Sequence, residues 1–63
     1  MSNNIKKYRN MLNYTLNDLA IKTDLSKGYL CHLEKGSRNN PSMKTMIKIC
    51  NALNKSLAEV FNQ

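Results

Sequence analysis

One histidine, His32, four acids, Asp18, Asp24, Glu34 and Glu59, and two cysteines, Cys31 and Cys50, make up the metal-binding and acid-base stock of this chain. They do not assemble into a site. No nucleophile is spaced with a base, and a lone histidine without a CxxC pair does not supply zinc ligands. The sequence therefore predicts no enzyme, no metal centre and no cofactor. Its cations point elsewhere: ten Lys and Arg against four acids leave a net charge of +6 on 63 residues. That balance favours a polyanionic partner, nucleic acid ahead of an acidic membrane surface.

Two cysteines are too few for the multi-bridge framework of a small secreted domain. No apolar run approaches the roughly 20 residues of a membrane-spanning helix, and the opening MSNNIKKYRN has no signal-peptide core. The expectation is a soluble, cytoplasmic protein without membrane association. A chain of this length makes one domain, residues 1–63, that buries only about 60% of its unfolded surface. Dimerisation is the expected supplement to so small a core.

The elements that would position the charges are read from periodicity and caps. The stretch TLNDLAIKTDLSKGYLCHLEKG, residues 15–36, reads as two short helices around a turn. Leu16, Leu19, Ala20 and Thr23 fall on one face, and Leu30 and Leu33 resume that spacing after the break. Thr15 caps the first of these helices, with Asp18 completing a capping box, and Ser26 caps the second, which stops at Gly36. Asp24 between them tolerates left-handed geometry. Upstream, an amphipathic helix from about Asn4 to Leu12 presents Ile5, Tyr8 and Leu12 on one face and closes at Asn13. Downstream of a polar loop, Ser42 caps a fourth helix whose inward stripe is Met43, Met46, Ile49, Cys50 and Leu53. Asn54 ends it, and Ser56 with Glu59 starts a last helix carrying Leu57, Val60 and Phe61. Met11, Met43 and Met46 are expected to fill the core, and Cys50 to be a small buried hydrophobe. Nothing alternates with period two over strand length, so the fold class is all-α with five helices.

Taken together, Ile5 and Arg9, Leu19-Ala20, Leu25-Ser26, Tyr29-Leu30, Leu33-Glu34-x-Gly36, Asn40-Pro41-Ser42 and Ala52-Leu53 resemble the Cro/C1-type helix-turn-helix domain of phage repressors and xenobiotic-response-element regulators. The match runs from about Ile5 to Phe61. Asn13, Asp24 and Asn54 stand where that family often has Gly, and they are the residue types that best replace Gly at positive φ. Leu16 stands where the family frequently has Gln, which removes one expected phosphate contact.

The resemblance implies a lambda-repressor-like domain whose third helix, about residues 26–35, lies in the major groove of double-stranded DNA. Its base readers correspond to Lys27, Gly28 and His32, with Tyr29 and Cys31 at the margin. A Lys can donate to guanine, and a neutral imidazole can donate or accept. Tyr29 fits either a phosphate contact or packing at the helix edge. Phosphate contacts are implied for Thr15, Lys35, Arg38, Asn39, Asn40 and Ser42. The resemblance also pairs Arg9 with Glu34 as a structural ion pair between the first and third helices. Separately, the apolar end of the chain makes Leu57, Val60 and Phe61 candidates for a two-fold interface. The function expected is that of a sequence-specific transcriptional regulator, a repressor covering an inverted-repeat operator as a homodimer. The rival is a protein-interaction module, an antitoxin or an adaptor for a larger regulator, with a protein partner the sequence does not identify. A membrane-surface peptide ranks third, since the basic residues do not line one amphipathic face.

Overall fold

The computed structural model describes residues 3–36 and 41–61. Five helices follow one another: α1 Ile5–Met11, α2 Leu16–Thr23, α3 Lys27–Lys35, α4 Met43–Leu53 and α5 Leu57–Phe61. Among the described residues every regular element is helical, in agreement with the all-α expectation.

Local chemistry sets the boundaries. The hydroxyls of Thr15, Ser26 and Ser42 accept from the backbone N–H groups of Asp18, Tyr29 and Thr45, filling donors that the first helical turn leaves unpaired. Thr15 and Asp18 make a full capping box, and Ser56 and Glu59 make another at α5. The helix ends use left-handed residues: Asn13, Asp24, Asn54 and Gly36 all have positive φ. After α1, Asn13 N–H donates to the Asn10 carbonyl and Tyr14 N–H to that of Arg9, the paired bonds of a Schellman ending. Asn54 and Lys55 repeat the arrangement after α4.

Each helix contributes to one core, formed by Ile5, Leu19, Leu30, Leu33, Ile49, Cys50, Leu53, Val60 and Phe61. Burial raises the pKa of the Cys50 thiol, consistent with an inert packing residue. Among the described residues Thr23 is the buried polar side chain, and its hydroxyl donates back to the Leu19 carbonyl at 2.8 Å.

Three expectations about the core are corrected. Met11 and Met43 are 64% and 56% exposed, so of the methionines assigned to it only Met46 packs against the core. Met43 opens α4, where side chains lean back toward the helix start and past the packed layer. Met11 closes α1, and Leu12 beyond it has left helical geometry, so the Ile5–Tyr8 face does not continue through either. The third correction concerns the proposed two-fold interface. Val60 is fully buried and Phe61 is 7% exposed; both are committed to the chain's own core. Because α5 is short and folds onto α1 and α4, Val60 and Phe61 point inward, and of the three candidates only Leu57, at 37%, retains surface.

Candidate nucleic-acid interface

α2 and α3 are joined by a turn of Asp24, Leu25 and Ser26. Asp24 is left-handed (φ 59°, ψ 29°) and Ser26 extended, so one helix ends and the next begins within three residues. Leu25 packs partly against the core and anchors the turn. The Ser26 cap then starts α3 with Lys27 and Gly28 in its first turn.

α3 is two-sided. Leu30 and Leu33 are buried, and Tyr29 packs partly against the same core. At about 100° per residue, Lys27, Gly28, Cys31, His32 and Lys35 fall on the other side; all are exposed except Cys31, which is half-buried. A Cβ added to Gly28 would meet nothing within 4 Å. No packing constraint within the chain therefore calls for glycine there. The outer face carries two ammonium groups and one imidazole, with no carboxylate among the five residues. It is thus built of hydrogen-bond donors and small side chains.

The orientation of α3 is fixed at its C-terminal end. Arg9 Nε donates to Glu34 Oε2 at 2.6 Å and Nη2 to Oε1 at 3.1 Å, while Nη1 reaches the Tyr14 carbonyl at 2.9 Å. The side chains are only 11% and 8% exposed. One guanidinium thereby joins α1, the turn before α2 and the last turn of α3, and its bond to Glu34 holds the Arg9 pKa above its ordinary value. Planar, bidentate pairing of this kind is specific to Arg.

The resemblance also assigns two helix starts to phosphates. Thr15 and Ser42 are exposed N-caps, the latter also donating its hydroxyl to Thr45 Oγ1 at 2.9 Å. Such ends carry unpaired N–H groups and the positive pole of the helix. Arg38, Asn39 and Asn40 lie outside the described residues. Two contacts of this region escaped sequence reading: the Arg9 bond to the Tyr14 carbonyl, and a bond from Asn3 to the carbonyl of Leu33. Neither carries a sequence signal, because the acceptors are backbone atoms. Among the described residues no group of His, Cys, Asp and Glu could hold a metal ion, and no helix is long and apolar enough to cross a membrane.

Comparison with known proteins gives the arrangement its family. A helix-turn-helix family model matches residues 5–60. The chain is 36% identical over 58 residues to the HTH-type transcriptional regulator SlrR of Bacillus subtilis (strain 168), covering 92% of this chain and 38% of SlrR. It spans 53% of the length of SinR from the same organism. Its fold superposes on the N-terminal DNA-binding domain of B. subtilis SinR with a TM-score of 0.85 at 32% identity, covering 94% of this chain and 86% of that one. A crystal structure of SinR in complex with DNA matches with a TM-score of 0.80 at 36% identity over 84% of each chain. SlrR and SinR are HTH-type transcriptional regulators, and the superposed SinR domain is its DNA-binding domain. The chain belongs to the Cro/C1-type helix-turn-helix family.

Proposed function

We propose that this domain binds double-stranded DNA sequence-specifically and acts as a transcriptional regulator, with α3 as the recognition helix in the major groove. The observation that carries this reading is the outer face of α3. It is donor-rich and free of acids, on a helix whose inner face is buried and whose end is tied down by Arg9. A rigid helix of this kind can present side chains to base edges without paying to order itself. Lys27 and His32 read bases, Gly28 lets the backbone come close, and Cys31 lies within the groove. Tyr29, partly packed on the core, is marginal to the reading face. Lys35, the helix ends at Thr15 and Ser42, and the loop residues Arg38, Asn39 and Asn40 hold the phosphate backbone, which fixes register without choosing sequence. The likeness to a DNA-bound SinR structure supports the same assignment.

We extend the reading to a repressor that binds an inverted repeat as a homodimer, with half-site centres about 34 Å apart. Of the three α5 residues considered for the two-fold contact, Leu57 alone has the surface for it.

The test is selection of bound sequences from a random duplex pool, followed by titration of the winner and a scrambled duplex at two salt concentrations. An inverted repeat is expected. Lys35→Ala should weaken both duplexes and lower the salt slope by about one unit per subunit. His32→Ala should instead cost about 1–3 kcal/mol on the selected site and relax one position per half-site. Equal losses on both duplexes would remove His32 from the reading face, and failure to enrich any sequence would refute specific binding.

A further inference from the structure

Asn3 and Asn4 lie outside the span matched by the family model, which begins at residue 5, yet their side chains and the Asn4 backbone N–H make four hydrogen bonds to three helices. Asn3 Oδ1 accepts from the Ile5 N–H at 3.1 Å, folding the segment onto the start of α1. Its Nδ2 donates to the Leu33 carbonyl at 2.9 Å, thirty residues away in the last turn of α3. Asn4 donates twice to the end of α5, from its backbone N–H to the Val60 carbonyl at 2.8 Å and from Nδ2 to the Glu59 carbonyl at 2.8 Å. The three acceptors are alike. Each is a carbonyl in the last turn of a helix, where groups from elsewhere in the chain can supply the hydrogen bond. Leu33 O also receives the Gly36 N–H at 3.1 Å, so Asn3 fills its second lone pair.

We propose that Asn3 is a positioning residue for the recognition helix: its carboxamide grips the Leu33 carbonyl, and Asn4 anchors the segment on α5 so that the grip is rigid. The proposal rests on the assignment of α3 as the DNA-reading helix. Arg9 holds α3 through the Glu34 side chain, which bends at several torsions. Asn3 holds it through a main-chain atom one residue earlier, so it fixes the helix axis itself. Asparagine suits the task, because one short planar group accepts from α1 and donates to α3 at once. The two attachments fall on successive residues of α3, so together they resist both tilt and rotation about the axis.

The test separates this tether from the local turn at Ile5. In Asn3→Ser the hydroxyl can still accept from the Ile5 N–H but is too short to reach α3; Asn3→Ala loses both bonds. Amide exchange of Gly36 and Ile5 is followed by NMR without DNA, and operator and scrambled duplexes are then titrated. Both variants should speed Gly36 exchange about 5- to 10-fold beyond any change at core amides such as Leu30 and Leu53, while Ile5 is deprotected in Asn3→Ala alone. Both should weaken operator binding about 3- to 10-fold and leave the scrambled duplex unchanged. Wild-type Gly36 exchange in Asn3→Ser, or a uniform shift across all core amides, would overturn the tether. Faster Gly36 exchange with unchanged operator affinity would overturn the positioning role. Should the wild type bind no duplex, the DNA-binding reading fails instead, and the exchange data alone still decide whether the tether exists.

Discussion

Cutting the Arg9–Glu34 pair from either side should cost more than its two short contacts suggest. The side chains are 11% and 8% exposed, so a charge left behind has little water to turn to. In Arg9→Met the Glu34 carboxylate loses both its guanidinium donors, and the Tyr14 carbonyl loses one as well. That places the cost near the lower end of the buried-pair range, about 3 kcal/mol. Glu34→Gln keeps one acceptor for Arg9, which also retains the Tyr14 carbonyl, so its cost should be smaller, about 1–2 kcal/mol. The double variant leaves no uncompensated charge and should cost less than the sum by at least about 1 kcal/mol. Against a total stability of roughly 3–9 kcal/mol for a domain this size, every corner of the cycle is measurable by urea unfolding at 25 °C, with midpoint shifts of about 1–3 M at an m-value near 1 kcal/mol/M. Added salt should change the coupling little, since the pair is shielded from bulk ions. Additivity within about 0.3 kcal/mol would refute the reasoning and make the two residues independent charges.

Phe61→Ala should destabilise the single chain by about 3–5 kcal/mol, independently of protein concentration, because its ring fills the core; a loss seen only as weaker self-association would return Phe61 to the interface. Gly28→Ala should stabilise the free domain by up to about 1 kcal/mol, since the new methyl meets nothing and helix propensity improves. The same variant should weaken operator binding if backbone and DNA approach closely there, and unchanged affinity would rule out that approach. The Asp18 and Glu59 carboxyls are held below the usual carboxylate range by the N–H groups of Thr15 and Ser56. Depressed folded values mean that their contribution is present above the unfolded carboxylate pKa of about 4 and is lost as pH falls through the lower folded value. Urea midpoints at about pH 6 and pH 3 should therefore fall with acid, and Asp18→Asn with Glu59→Gln should flatten the decline; an equal decline in both proteins would contradict the linkage.

The helix starts were legible one residue at a time. Thr15, Ser26 and Ser42 act through a hydroxyl on an N–H three residues later, so the signal lies in adjacent sequence. The same holds for Asn13, Asp24 and Asn54, whose type announces tolerance of positive φ. Periodicity identified Leu19, Leu30, Leu33 and Ile49 as inward because they sit within their helices, where the face is well defined. It misjudged Met11, Leu12 and Met43 because the face of a helix loses its meaning at the ends.

Sequence alone thus determined the five helices, their caps, the turn between α2 and α3 and the absence of acids from the outer face of α3, all matters of local propensity and charge. Tertiary structure decided what the ends of the helices meet. It turned Val60 and Phe61 inward, set the Arg9 guanidinium against both Glu34 and the Tyr14 carbonyl, and gave Asn3 and Asn4 carbonyls in the last turns of α3 and α5. Those acceptors are main-chain oxygens that every residue possesses, so only the packing of one helix end against another chain segment makes any of them a partner.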